Sequence, residues 1–287
     1  MSDKQPGPQG RYSALPSIAS VTLEGRDALA FAQAQFMSDV AALTPGHWHW
    51  SGWLTPKGRV IALFALLRHS EQHLQALVLD ADAAEFAARL QRFVFRSKVT
   101  LRVDGEAAAV SGAFSAPTGA AAARFAILGD GTLECDMGTP DAPRTLRVGT
   151  PGEPDDAAAL AWRLADLAHG LPRLPATQAE AWTPQQLSLE RLKAYSVKKG
   201  CYPGQEIVAR THFLGQAKRG LVRLVADADM SEGDVFAAAA PDRALGQVVS
   251  RAGREALAVM PLDAGEGPFE VSGVSCTSLS LLDGLAR

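Results

Sequence analysis

Cysteine is scarce in this chain: three in 287 residues, Cys135, Cys201 and Cys276, far apart and without a C-x-x-C spacing. That excludes a cysteine-rich zinc framework and a disulfide scaffold, and it is one thiolate short of an intrachain cysteine-ligated iron–sulfur site. Excess charge of one sign is missing too. With 28 Lys and Arg against 31 Asp and Glu the net charge is −3, so the molecule as a whole is not a basic body that holds duplex nucleic acid by counterion release. Long apolar runs are absent: the longest, Val60 to Leu67, is far short of the ~20 residues of a membrane-spanning helix. The first residues, Met1-Ser2-Asp3-Lys4 followed by Pro, Gly and Gln, carry neither the apolar stretch nor the cleavage site of a secretory signal. A soluble, cytoplasmic protein with no membrane partner is expected. No repeat of solenoid or propeller length is visible.

What is present is ordinary globular composition, 47% hydrophobic with 26 Gly and 17 Pro, and a readable order of elements. Residues 1–11 read as a mobile tail. Ile18 to Leu23 alternates as a strand, and Leu29, Phe36, Val40 and Leu43 recur at helical spacing behind a cap at Asp27, predicting roughly four turns. His47 to Leu54, Arg59 to Leu67 and Leu74 to Leu79 read as strands, the first ending in a Thr55-Pro56-Lys57-Gly58 turn. A helix over Ala81 to Phe93 places Phe86, Leu90 and Phe93 on one face, and Val99, Leu101 and Val103 alternate after it. This β, α, β-rich, α, β order predicts an α+β layer with helices on one face of a largely antiparallel sheet.

Gly105 to Asp156 reads as short strands in loose loops. Leu160, Leu164 and Leu167 mark a further helix, stopped at Gly170 and Pro172. From Lys218 onward Leu221–Val225, Leu245–Ser250, Ala256–Met260 and Phe269–Leu282 read as the strands of a small β-barrel or sandwich. The division expected is 12–215, containing two α+β subdomains, and 216–287, the C-terminal barrel.

The stretch densest in chemistry is Lys199-Gly200-Cys201-Tyr202-Pro203-Gly204-Gln205-Glu206. Pro203-Gly204 reads as a turn and Gln205 to Phe213 as a short helix. The thiol then precedes a helix N-terminus beside Lys198 and Lys199, two features that favour the thiolate. A reactive Cys201 is one reading; a buried cysteine acting as a small hydrophobe is the other. Cys135 and Cys276, in expected strands, take the second. From Glu190 to Arg219 there are seven Lys and Arg and two acids, +5 locally on a remainder of −8. Such an island suits an anionic ligand or is a solvated charged face. Trp162 lies off the leucine stripe of its helix, as the wall of a planar-ligand site or as packing between domains. His47 and His49 share a strand face with no carboxylate fixed by spacing, so no metal site is assigned.

At Lys199 to Arg210, KGCYPGQEIVAR, the chain resembles the folate-binding YgfZ proteins, relatives of the glycine-cleavage T-protein. The likeness extends to Leu23–Asp27, Pro56–Arg59, Trp162–Pro172 and Ala244–Val248. The resemblance implies a T-protein-like, aminomethyltransferase-type α+β fold of three subdomains around a central channel that binds tetrahydrofolate, with a C-terminal β-barrel. It also implies a role in iron–sulfur cluster assembly or repair, with cluster enzymes or assembly factors as partners and an indirect link to tRNA modification. Carried over by position, Cys201 is the functional thiol with Lys199 keeping it ionised, and Trp162, Tyr202, Gln205, Glu206 and Arg210 are the folate-side residues. Two positions depart from the pattern: Ile18 stands where some relatives have a second tryptophan, and Ala168 where an acid is common. Aligning Lys57-Gly58 with the T-protein's Gly-Gly turn puts Ile61 and Ala62 where its catalytic acid stands. Without a titratable group there, aminomethyl transfer or demethylation is the disfavoured alternative. A pure docking module, needing neither folate nor thiol, is the third reading.

Overall fold

The computed structural model describes residues 10–215 and 217–287. Most of the expected tail, and Gln216 at the expected division, lie outside them. The apolar run is the centre of the first sheet. Val60–Arg68 is buried at every position, because its alternating side chains enter two different cores. The sheet order is His47–Leu54, Val60–Arg68, His73–Leu79, Ile18–Glu24, Thr100–Val103, antiparallel throughout. One face, with Leu23, Trp53, Phe64, Leu66 and Val78, is covered by two helices, α1 (Ala28–Gln35) and α2 (Ala83–Gln91). The other, with Trp50, Leu63, Ala65 and Leu77, faces the centre of the molecule.

Helix α1 has about half the predicted length. The chain leaves it at Phe36 (φ −93°, ψ 152°), where Phe36 bridges Trp53 and the Met37 N–H donates to the Gly52 carbonyl at 3.0 Å. Phe36 and Val40 are still buried, so their spacing records burial of an irregular segment and not helical turns. Asp27 sits at the N-cap but does not cap; its carboxylate accepts from the Lys98 N–H at 2.6 Å. In α2 the capping is regular: Asp82 accepts from the N–H groups of Ala84 and Glu85 at 2.8 and 3.0 Å. Phe86 and Leu90 are buried, whereas Phe93 lies past the helix end and is 40% exposed.

Gly105–Asp156 forms a second five-stranded sheet with Ser13–Ala14 at one edge: Ser13–Ala14, Val110–Ala113, Thr145–Val148, Leu133–Asp136, Ala126–Ile127. Helix α3 (Asp156–Ala168) starts at a capping Asp155 and ends at Gly170, φ +71°. Its buried face differs from the leucine stripe. Ala158, Trp162, Asp166 and Leu167 point inward and Leu160 is exposed. Gly112 explains the choice: a Cβ there would stand 2.6 Å from the Trp162 ring, so glycine makes the room the indole occupies.

The last sheet is a closed six-stranded barrel in the order Arg219–Ala226, Glu255–Pro261, Ala240–Ala252, Asp234–Ala237, Phe269–Val271, Val274–Leu279. The expected single strand Phe269–Leu282 is a hairpin. Ser272 and Gly273 both have positive φ (49° and 83°), as a two-residue turn between twisted strands requires.

Candidate functional site around Cys201

The Lys199–Gly204 turn is fixed at both ends before Cys201 is considered. Lys199 is buried, and its ammonium donates to the carbonyls of Gln33, Phe36 and Ser38 at 2.5, 2.6 and 2.8 Å. These oxygens lie at the C-terminal end of α1, where helix carbonyls lack intrahelical partners and the dipole favours a cation. The Tyr202 ring lies 5.0 Å from the same ammonium, the Tyr202 hydroxyl donates to Ser196 O, and Gln205 Nε2 donates to the Lys199 carbonyl. Burial pushes the Lys199 ammonium down to about 8, against the opposing pull of Asp39. All three ammonium protons are thus committed to backbone oxygens. Lys199 thereby anchors the turn that carries Cys201.

At the other end, Gly204 (φ +78°) is the N-cap of α4 (Gln205–Leu214) and rests on the Thr55–Gly58 turn. A Cβ on Gly204 would approach Gly58 Cα and Thr55 O to 2.6 Å, and one on Gly58 (φ +68°) would approach Ile207 Cβ to 2.9 Å. Two turns therefore dock glycine against glycine. Between these anchors Cys201 is exposed, while Cys135 and Cys276 are buried. Burial raises the Cys276 thiol, and raises that of Cys135 far more strongly. Lys199→Met, which keeps length but removes the donors, leaves three carbonyls without their charged partner and is expected to cost about 3 kcal/mol in denaturant unfolding. A loss below about 1 kcal/mol would show that the anchor is unimportant.

A histidine beside the anchor gives the site a pH dependence. His49 Nε2 lies 2.9 Å from Ser38 Oγ, and burial pushes the ring from 6.5 down to about 4, with Asp39 opposing and Lys199 assisting. The unfolded chain therefore takes the proton first as pH falls. The stability contributed by neutral His49 is complete above about pH 6.5 and is lost between 6.5 and 4, roughly 3 kcal/mol at ~1.4 kcal/mol per pKa unit. His49→Gln should flatten that part of the stability–pH curve; an unchanged slope would rule out His49 as its source.

The remaining expected site residues do not gather at one place. Glu206 and Arg210 are exposed on α4, and Tyr202 and Gln205 serve the turn. Trp162 lies elsewhere, 3% exposed, under the Arg144 guanidinium at 4.7 Å and edge-on to Phe114. Sequence reasoning missed the residues around it. Asp166, one turn along α3, accepts from Arg144 at 2.8 Å and Arg173 at 3.0 Å; Arg173 also binds Asp80 at 2.8 Å, and Arg163 joins Asp80 at 2.6 Å. The only sequence signal was an acid on the same helix face as Trp162. The basic island is also smaller than its count: Lys199 is internal and Arg191 pairs with Asp283.

No protein-family model matches the chain. In three dimensions it is similar to the glycine cleavage system aminomethyltransferase T from Bartonella henselae, with a TM-score of 0.70 at 15% identity over 94% of this chain and 85% of that one. The fold is therefore that of the T-protein class, closed by a C-terminal barrel. In sequence, the chain is 29% identical over 241 residues to the tRNA-modifying protein YgfZ of Vibrio vulnificus strain YJ016, covering 78% of this chain and 72% of that protein. It is 26% identical over 271 residues to the YgfZ protein of Aliivibrio fischeri strain ES114, covering 85% and 79%. The chain is a homologue of the YgfZ proteins.

Tetrahydrofolate, implied by the resemblance, can be tested against the space beside Trp162. Ile18, Trp50, Leu77, Trp162 and Asp166 enclose about 10 Å³ there, room for one water molecule and not for a pterin. The polar groups that face it, Asp166, Arg144 and Arg173, already satisfy one another. In this conformation the residues present do not accommodate the ligand at that position. Ile61 and Ala62, at the aligned position of the T-protein acid, are buried apolar residues of the first sheet.

Proposed function

We propose that this chain is an accessory protein for iron–sulfur enzymes of tRNA modification, acting through the Cys201 thiol. The observation that carries the reading is that one of its three cysteines is exposed, on a turn held from both ends, in a chain whose relatives are named tRNA-modifying proteins. Among the described residues no group of three or more His, Cys, Asp or Glu is placed to hold a metal ion. The chain therefore offers a single sulfur ligand, suited to transient contact with a client's cluster as cargo or to exchange with a client's disulfide, in which the Cys201 sulfur bonds to one client sulfur and the other leaves as a thiolate. Gly204 and Lys199 aim the sulfur; they take no part in bond making. Aminomethyl transfer lacks support, because Ile61 and Ala62 can neither accept nor donate a proton.

The test is made in cells lacking their own copy. Expression of this chain is expected to restore sulfur-modified tRNA nucleosides and the activity of the cluster enzyme that makes them. Ellman's reagent should meanwhile titrate a single thiol in the native chain. Failure to restore the nucleosides by a chain that is folded and abundant would refute the reading.

A further inference from the structure

A cavity of about 630 Å³ lies on the opposite face of the first sheet from Trp162. It is bounded by the Thr55–Arg59 turn, the end of α2 and Pro203, two residues from Cys201. Its volume is that of a small-molecule site. Three features of its lining define what it can take. The first is an aromatic wall: Phe93, 40% exposed, stands edge-on to buried Trp53 with centroids 5.7 Å apart. The second is a cationic rim. Of the four basic residues there, Arg89 is neutralised by Glu180 at 2.5 Å, whereas Lys57, Arg59 and Arg92 have no carboxylate partner among the described residues. The Arg59 guanidinium is held in place by the Ala181 carbonyl and Gln186. The third lies behind that wall: the indole N–H of Trp53, 2% exposed, is buried without an acceptor.

We propose that this cavity is a nucleotide-binding site, with a heteroaromatic base against Phe93 and Trp53 and a phosphate at Lys57, Arg59 and Arg92. A base supplies a flat face to stack on the exposed Phe93 ring, which an aliphatic anion lacks. A phosphate matches several converging cations better than a single carboxylate does, and guanidinium groups bind it in a forked geometry. The nucleotide can be a free mononucleotide or an unpaired nucleotide of an RNA strand. The site is separate from the thiol chemistry proposed above: Cys201→Ser should leave nucleotide affinity unchanged, so either reading can fail alone.

The experiment is calorimetric titration of the full chain with AMP, adenosine, inorganic phosphate and a short single-stranded oligoadenylate at low and high salt. Saturable AMP binding is expected, with adenosine and phosphate each at least about tenfold weaker. Salt should weaken AMP binding, since the rim charges are exposed. The surface double variant Lys57→Ala, Arg92→Ala should weaken AMP at least about tenfold with an unchanged melting temperature. Oligoadenylate binding at least about tenfold tighter than AMP assigns the site to RNA; equal or weaker binding assigns it to the free nucleotide. The proposal is overturned if neither AMP nor oligoadenylate saturates the chain below about 1 mM, if phosphate binds as well as AMP, or if the double variant binds normally.

Discussion

Replacing Cys201 with serine is expected to abolish restoration of sulfur-modified tRNA nucleosides, with no measurable change in unfolding free energy. The two halves of that expectation come from the same observation. Cys201 is exposed and its neighbours, not its sulfur, hold the turn: Lys199 through three carbonyls, Tyr202 through Ser196, Gly204 through its contact with Gly58. Surface substitutions of this kind fall within about 0.5 kcal/mol. Serine keeps the size and loses the soft, nucleophilic ligand, because a hydroxyl neither binds iron as a thiolate does nor exchanges with disulfides. The native Ellman titre should fall from one thiol to none. A serine variant that restores the nucleosides fully would exclude the thiol from function.

Asp166→Ala carries the largest expected structural effect. Asp166 is 2% exposed and sits between Arg144 and Arg173, themselves 2% and 3% exposed. Removing the shared carboxylate strands buried positive charge, which costs about 3–5 kcal/mol when one partner of a buried pair is lost. Arg173 retains Asp80, but Arg144 keeps only the Trp162 carbonyl at 3.3 Å and the face of the indole. Urea unfolding should therefore show a midpoint shift of that size. Asp166→Asn, which can still accept a hydrogen bond from one guanidinium, should lose less. A loss under about 1 kcal/mol for the alanine variant would mean that water reaches the two arginines.

Much of this was legible because strands announce themselves by alternation and by turns. His47–Leu54, its Thr55–Gly58 turn and the early barrel strands stand close to where the pattern puts them. Phe36–Leu43 was misread for a physical reason. Apolar recurrence measures burial, and an irregular segment inserted between a sheet and a loop is buried at similar intervals. The leucines of α3 misled in the opposite way: the inward face was chosen by a glycine on a strand some fifty residues earlier, which no local window contains. For the site, the Lys199–Glu206 motif was visible as a dense cluster of special residues, but its internal logic was not. Lys199 reads as a charge near a thiol until three carbonyls from residues 33–38 are seen around it. Likewise Asp166 reads as a helix-surface acid until Arg144 and Arg173 arrive from distant segments.

Since Cys135 and Cys276 are enclosed in their sheets, the exposed sulfur has no resolving partner within its own chain. Any disulfide it forms joins two molecules, so oxidation would register as a covalent adduct of higher mass that a reductant reverses.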